Sequence, residues 1–269
     1  MRRLLLALSF CLAAVPTQAA ELCTLVADAA TGEVLLERGA DCDTPTTPAS
    51  TFKVPLAVMA FDAGLLIDAR NPAEPFVEGY ADWGGDDWRQ TTDPLRWMDY
   101  SVVWYSQVTT RALGADTLTR YARAFDYGNA DFSGDPGADN GLERSWISSS
   151  LKLTPRQQLT FMTRLATGQL PVSTHAMQTT LAIMQQRQSD NGWHMVGKTG
   201  SAFPRNADGS FNRARGWGWY VGMATKGART LVFVRLNQDE SRQSVSGGLR
   251  ARDELLAEWP ELMAEVPAR

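Results

Sequence analysis

The chain has 269 residues, a formal net charge of −4, 44% hydrophobic and 21% charged residues. That length can bury a sizeable core, and the mild acidity excludes a partner held by its phosphates, such as a nucleic acid. The only histidines, His175 and His194, lie in no ligand motif, so a zinc hydrolase is excluded and no metal is expected.

The N-terminus reads as an export signal. Met1-Arg2-Arg3 is a cationic start, Leu4 to Val15 is apolar around Ser9, and Thr17-Gln18-Ala19-Ala20 invites cleavage after Ala19 or Ala20. The apolar run falls short of the roughly 20 residues a membrane span needs, and bulky Phe10 before Cys11 does not suit a lipoprotein signal. Residues 1–20 are therefore read as a cleaved signal peptide and residues 21–269 as a single domain. Losing Arg2 and Arg3 takes the charge from −4 to about −6. The mature protein is expected in the periplasm, free of the membrane, as a monomer or homodimer.

Leu22 to Asp28 and Glu33 to Arg38 form a hairpin turned at Thr31-Gly32, with Cys23 and Cys42 flanking it nearly opposite each other. In an oxidising compartment the two cysteines can form a disulfide; the alternative is two buried free thiols. Pro45 to Pro48 makes a turn, and a helix follows from about Ser50 to Ala63, stopped by Gly64. Residues 68 to 96, rich in Pro, Gly, Asp and Trp, read as irregular. Helices are expected near 103–113 and 116–124, from Thr154-Pro155 to Gly168, and from Ser173 to Gln186. Strands follow at His194 to Lys198, Gly218 to Ala224 and Thr230 to Leu236, then a helix from Arg250 to Trp259. This order predicts an α+β fold: an antiparallel sheet flanked by terminal helices, plus an all-helical lobe, with the active site between them.

Only four basic residues are lysines, Lys53, Lys152, Lys198 and Lys226, so each is worth examining. Ser50 and Lys53, three apart at a helix start, share one face. A serine becomes nucleophilic when a base takes its proton, and a lysine can be that base if burial lowers its pKa. Phe52, Val54, Pro55 and Leu56 supply an apolar setting, and a helix N-terminus offers N–H groups to an oxyanion. Ser149-Ser150-Leu151-Lys152 repeats the spacing, but in a loop that fixes no common face. Lys198-Thr199-Gly200 ends a strand, where a lysine and a hydroxyl can bind a carboxylate and the glycine lets a ligand approach. Ser101-Val102-Val103 and Tyr127-Gly128-Asn129 say little singly; the ordered set at positions 50, 101, 127 and 198 says far more.

With Trp146 and the strand Gly218-Trp219-Tyr220-Val221-Gly222, that set resembles the class D (oxacillinase-type) serine β-lactamases among the penicillin-recognising enzymes. The resemblance covers essentially the whole mature chain. It implies hydrolysis of β-lactams, hence resistance to them, through an acyl-enzyme on Ser50. Backbone N–H groups of Ser50 and Ser201 would form the oxyanion hole. Lys53 would be carboxylated by carbon dioxide and act as the base, with no cofactor beyond that carbon dioxide or bicarbonate. A buried neutral amine is the form that reacts, and the resulting anion needs donors such as the Trp146 indole N–H. Val103 would keep the pocket apolar, and Ser101 would pass a proton to the leaving nitrogen beside Lys198. Thr199, Gly200 and Arg250 would bind the substrate carboxylate, with Arg252 as the alternative to Arg250. Ile147 stands where the family more often has leucine. Two other readings of the fold are an acylated sensor and a D-Ala-D-Ala peptidase; the first usually has a membrane anchor, the second a different second motif.

Asp93, Asp99 and Asp131 are expected to be solvated surface groups. Met98, Trp104 and Tyr105 are open between core and groove. The stretch Ala202 to Arg215 is where substrate selectivity is expected.

Overall fold

The structure, a computed structural model, describes residues 19–267. The expected signal segment before Ala19 lies outside the described residues, and Ala20 already begins the first strand. The elements in order are β1 (Ala20–Asp28), β2 (Val34–Arg38), a 3-10 turn (Ala49–Phe52), α1 (Lys53–Asp62) and a short 3-10 turn (Gly85–Asp87). Then come α2 (Pro94–Asp99), α3 (Val103–Leu113), α4 (Ala115–Ala124), α5 (Gly141–Arg144), α6 (Pro155–Ala166) and α7 (Thr174–Ile183). The chain closes with β3 (Gln185–Gln188), β4 (His194–Ala202), β5 (Trp217–Lys226), β6 (Arg229–Gln238) and α8 (Gly247–Glu265).

The strands make one antiparallel sheet in the order β2-β1-β6-β5-β4-β3. Its central strands are apolar on both faces because both faces are covered. On β6, Val232 and Val234 join the core shared with the helical lobe, while Leu231 and Phe233 face the core under α8. Helix α6 packs on the lobe side of the sheet, and α1 to α4 with α7 build the lobe beyond it. The expected α+β architecture is the observed one.

On the α8 side, two polar residues of β6 alternate with its apolar ones and Asp239 continues the row just past the strand's end, and each meets α8. Arg235 pairs with Glu258, Asn237 donates to Glu254, and Asp239 pairs with Arg250. Two strand residues advance about 6.8 Å and four helix residues about 6.0 Å, so the two rows stay in step while running in opposite directions.

Several boundaries differ from expectation. The helix expected to run to Gln186 ends at Ile183; Met184 turns extended and buries, and Gln185–Gln188 pairs along the edge of β4. Four polar residues without alternation suit an exposed sheet edge and leave no strand pattern to read. The stretch expected to be irregular contains α2, whose start has a clear chemical cause: Asp93 accepts from Arg96 N at 2.7 Å and Pro94 fills the first turn. Helix α8 runs from Gly247 to Glu265, beyond the expected Arg250 to Trp259; Pro260 lies inside it and Leu262 past the proline is buried.

Cys23 and Cys42 form a disulfide. They are not directly opposite: Thr24 pairs with Arg38, which puts Gly39 across from Cys23. Gly39 (φ +86°) turns the chain so closely that a Cβ there would lie 2.2 Å from Leu22 O, and this turn returns Cys42 to its partner. The mature protein is expected to alkylate at neither cysteine before reduction and at both after it. Urea unfolding of the reduced, alkylated form should show about 3 kcal/mol less stability.

Candidate active site

Ser50 does not sit in the α-helix itself. It lies in the 3-10 turn Ala49–Phe52, and Lys53 is the first residue of α1. In 3-10 geometry residues three apart eclipse, so the two side chains stack and Lys53 Nζ donates to Ser50 Oγ at 3.3 Å. The turn is held in an unusual shape: Ala49 has φ +52°, a left-handed conformation. Ala49 N and Thr47 Oγ1 both donate to Trp146 O, at 3.0 and 2.7 Å, and Trp219 Nε1 donates to Thr47 O at 2.9 Å.

Strand β4 carries the second half of the site past this turn. Gly200 is the point of closest approach: a Cβ there would lie 2.9 Å from Pro48 O and 3.1 Å from Thr51 N. From the other side, a Cβ on Gly248 at the start of α8 would lie 2.6 Å from Gly200 O. Lys198 Nζ donates to Ser101 Oγ and to Thr199 O, each at 3.0 Å. Ser101 reaches it from the tight link between α2 and α3, with φ +57° and Val102 N bonded to Trp97 O. Two Ser–Lys pairs, Ser50–Lys53 and Ser101–Lys198, thus meet from the two lobes.

Both lysines are fully buried. Burial pushes Lys53 well below the ordinary lysine value, and the charge of Lys198 pushes the same way. Burial brings Lys198 down to about 7, opposed by the carboxylate of Asp99 and assisted by Arg252. An amine of this kind can exist neutral at physiological pH and accept a proton.

These groups open on a cleft of about 830 Å³ lined by Ser50, Ser101, Val103, Thr199, Gly200 and Ser201. Trp146 stands behind it, stacked on Phe52 with ring centroids 5.3 Å apart. Its indole Nε1 is buried and has no hydrogen-bond partner. A buried, unsatisfied donor costs about 1–3 kcal/mol, and it fits an anion formed on the buried, readily deprotonated Lys53.

Three expectations are corrected. Arg250 does not line the cleft: its guanidinium is engaged by Asp239, and its Nε donates to Val245 O at 3.2 Å. Arg252 does not line it either and pairs with its neighbour Asp253 at 2.8 Å; Arg213 and Arg242 are the guanidinium residues on the cleft wall. Asp99 is more than a solvated surface group, because it lines the cleft and its carboxyl is raised by burial while Arg187 and Lys198 oppose the rise. Asp93 caps α2 and pairs with Arg70, and Asp131 binds Ser133 N in its own loop.

Met98, Trp104 and Tyr105 are core residues, with Trp104 bonded to Trp88 O and Tyr105 to Pro72 O. The cleft aromatics are Trp83, Trp88, Tyr100, Phe203 and Trp217, from irregular segments and one strand start whose sequence gave no periodic cue. Tyr127-Gly128-Asn129 is architectural: Tyr127 packs on Phe52, and Asn129 exchanges bonds with Lys152 and Ser150. In the repeated Ser-x-x-Lys, Ser149 binds Asp135 and Lys152 is exposed, so they do not form a pair. His175 contacts Ile67 O, His194 lies on β4, and no metal-binding cluster occurs among the described residues.

A serine beside one buried lysine, faced by a second Ser–Lys pair whose lysine comes from a sheet strand and whose serine comes from the helical lobe, defines an enzyme of the active-site-serine, acyl-transferring kind. Residues 22–259 match the penicillin binding protein transpeptidase domain. The chain is 41% identical over 241 residues to β-lactamase OXA-9 of Klebsiella pneumoniae, covering 90% of this chain and 88% of that one. It is 35% identical over 232 residues to β-lactamase OXA-1 of Escherichia coli, covering 86% of this chain and 80% of that one. The crystal structure of OXA-427 class D β-lactamase superposes with a TM-score of 0.83 at 43% identity, covering 90% of this chain and 98% of that one. The chain belongs to the penicillin-binding-protein transpeptidase family and, within it, to the class D serine β-lactamases.

Two outcomes follow from the geometry. Gly200→Ala should lower kcat/KM at least tenfold while the protein stays folded, because the added methyl presses on the Ser50 turn; steady-state kinetics with circular dichroism checks it. Lys198 binds its proton more weakly folded (about 7) than unfolded (about 10.4). The unfolded chain therefore holds more protons between those values, and stability should rise as pH climbs from 7 towards 9. Urea unfolding across that range should show a smaller rise for Lys198→Met.

Proposed function

We propose that this enzyme hydrolyses the β-lactam ring of penicillins and related antibiotics through an acyl-enzyme on Ser50, with Lys53 acting as base in a carboxylated form, and so confers resistance. The observation that carries this reading is the buried Lys53 amine at 3.3 Å from Ser50 Oγ, with the unpartnered indole N–H of Trp146 in the same buried region. Carbon dioxide on that amine supplies an anionic base where a protonated lysine could supply none.

Ser50 Oγ attacks the lactam carbonyl while its proton passes to the Lys53 side chain. Backbone N–H groups of Ser50 and Ser201, both on the cleft wall, receive the developing oxyanion. As the ring C–N bond breaks, Ser101 Oγ gives its proton to the departing nitrogen and is resupplied from Lys198, 3.0 Å away. Thr199, beside Lys198, binds the substrate carboxylate, and Val103 keeps the pocket apolar. The Lys53 base then deprotonates a water that attacks the ester carbonyl and frees Ser50.

The reading extends to export into the periplasm. Its support is the apolar N-terminal run with its small-residue end and the Cys23–Cys42 disulfide, a bond that persists in oxidising compartments. No helix among the described residues is long and apolar enough to cross a membrane.

Excess chromogenic cephalosporin in bicarbonate-containing buffer should be turned over many times. A stoichiometric burst that stops would replace hydrolysis with a sensor's single acylation. Lys53→Ala and Trp146→Ala should each deacylate at least a hundredfold more slowly, so that mass spectrometry finds the penicilloyl adduct on Ser50. With 13C-bicarbonate, the wild type should show a carbamate carbon resonance that Lys53→Ala lacks. Full turnover by Lys53→Ala would rule out the lysine base.

A further inference from the structure

We propose that Arg213 reads the acyl side chain of the substrate and favours β-lactams that carry a second carboxylate there, an inference that rests on the hydrolase reading above. Arg213 is exposed on the cleft wall, at the end of the stretch that joins β4 to β5. Its guanidinium lies over the Phe203 ring, 5.4 Å from the centroid, and Phe203 lines the same cleft. Among the described residues Arg213 enters no ion pair. Its neighbours differ: Arg205 and Arg144 both bind Asp135, at 2.9 and 3.6 Å, and Arg250 is held by Asp239.

The platform under Arg213 is braced. Phe203 packs on Phe211 with centroids 6.5 Å apart, and Phe211 lies under Arg205 at 4.5 Å and Arg144 at 5.8 Å. Phe203 N donates to Ser148 Oγ at 3.2 Å, which fastens the stretch to the loop that follows Trp146. A stacked guanidinium has less freedom to lose on binding than a free one, so it offers its charge at lower entropic cost.

Position along β4 decides which part of the substrate it meets. In a β-lactam, the ring carboxylate lies on the nitrogen side of the reactive carbonyl and the acylamino group on the carbon side. With the carboxylate at Thr199 and the carbonyl between Ser50 and Ser201, the acylamino group points onward along the strand. Phe203 lies four residues past Thr199, roughly 13 Å at the rise of a strand, so one carboxylate cannot serve both places. Of the other charged cleft residues, Asp239 is neutralised by Arg250, and Asp99 lies in α2 beside the Ser101–Lys198 pair. Arg242 also lines the cleft, but among the described residues it has neither an ion pair nor a ring beneath it.

Carbenicillin and benzylpenicillin form a matched pair, differing by one carboxylate on the acyl side chain. Arg213→Gln should lower the carbenicillin-to-benzylpenicillin ratio of kcat/KM by about three- to fivefold, the scale of an exposed ion pair, through KM rather than kcat. Raising salt to 0.5 M should depress the wild-type ratio and leave that of Arg213→Gln nearly unmoved. Arg242→Gln should keep the wild-type ratio. An unchanged ratio in Arg213→Gln, or a ratio lost in Arg242→Gln alone, overturns the assignment while benzylpenicillin turnover leaves the hydrolase reading standing. Failure of the wild type to turn over either penicillin overturns both.

Discussion

Two lysine amines buried in one cleft both bind their protons weakly. That constraint organises the site. Lys53 and Lys198 are each removed from water, and the charge of either disfavours the charge of the other. Asp99 favours the proton on Lys198, while nothing comparable supports one on Lys53. The two amines are therefore unequal. Lys198 stands 3.0 Å from Ser101 and Lys53 3.3 Å from Ser50. The proposed reaction asks a base of one pair and a proton source of the other, and an asymmetry of burial and charge within one residue type is suited to supply both.

Such amines stay buried only where the scaffold closes tightly around them. Strand β4 passes the Ser50 turn with room for a hydrogen at Gly200 and none for a methyl, and α8 presses from the opposite side at Gly248. Helix α8 is itself fixed by its polar contacts with Arg235 and Asn237 of β6 and with Asp239 just beyond it. The last of these contacts takes the Arg250 guanidinium out of the cleft and leaves its wall to residues of the loops. The scaffold therefore fixes the reacting groups rigidly and leaves recognition to segments that can vary without disturbing them.

What could be read from the chain follows the kind of physics involved. Strands β4 to β6 carry apolar runs, α6 has its Thr154 cap and first-turn proline, and these with α1 and α3 appear close to where they were expected, although Ser50 lies in the turn before α1. The Ser50–Lys53 and Lys198–Thr199 pairs were legible because local geometry makes neighbours of residues one or three apart. Asp99 and Arg242 were not, and Phe203 and Arg213 only as members of the stretch Ala202 to Arg215, since all four reach the cleft from loops or element ends whose path depends on distant contacts. Arg250 misled for a related reason. It was assigned by resemblance, and nothing local shows that Asp239, eleven residues earlier, holds it.

Trp146 joins the two levels of organisation. Its carbonyl accepts from Ala49 N and Thr47 Oγ1, so it shapes the left-handed entry to the Ser50 turn. Its ring stacks on Phe52, directly before Lys53 in the chain. Its indole N–H is left without a partner, as is that of Trp259 in the core under α8. A residue kept only for packing would serve as well with a phenylalanine ring and would avoid the cost of a buried, unpaired donor. That cost is recovered if the donor meets an acceptor during the reaction, and the proposed carboxylated form of Lys53 is such an acceptor. Loss of the indole should then harm the step that depends on the anion while sparing the turn, which Trp146 shapes through its backbone.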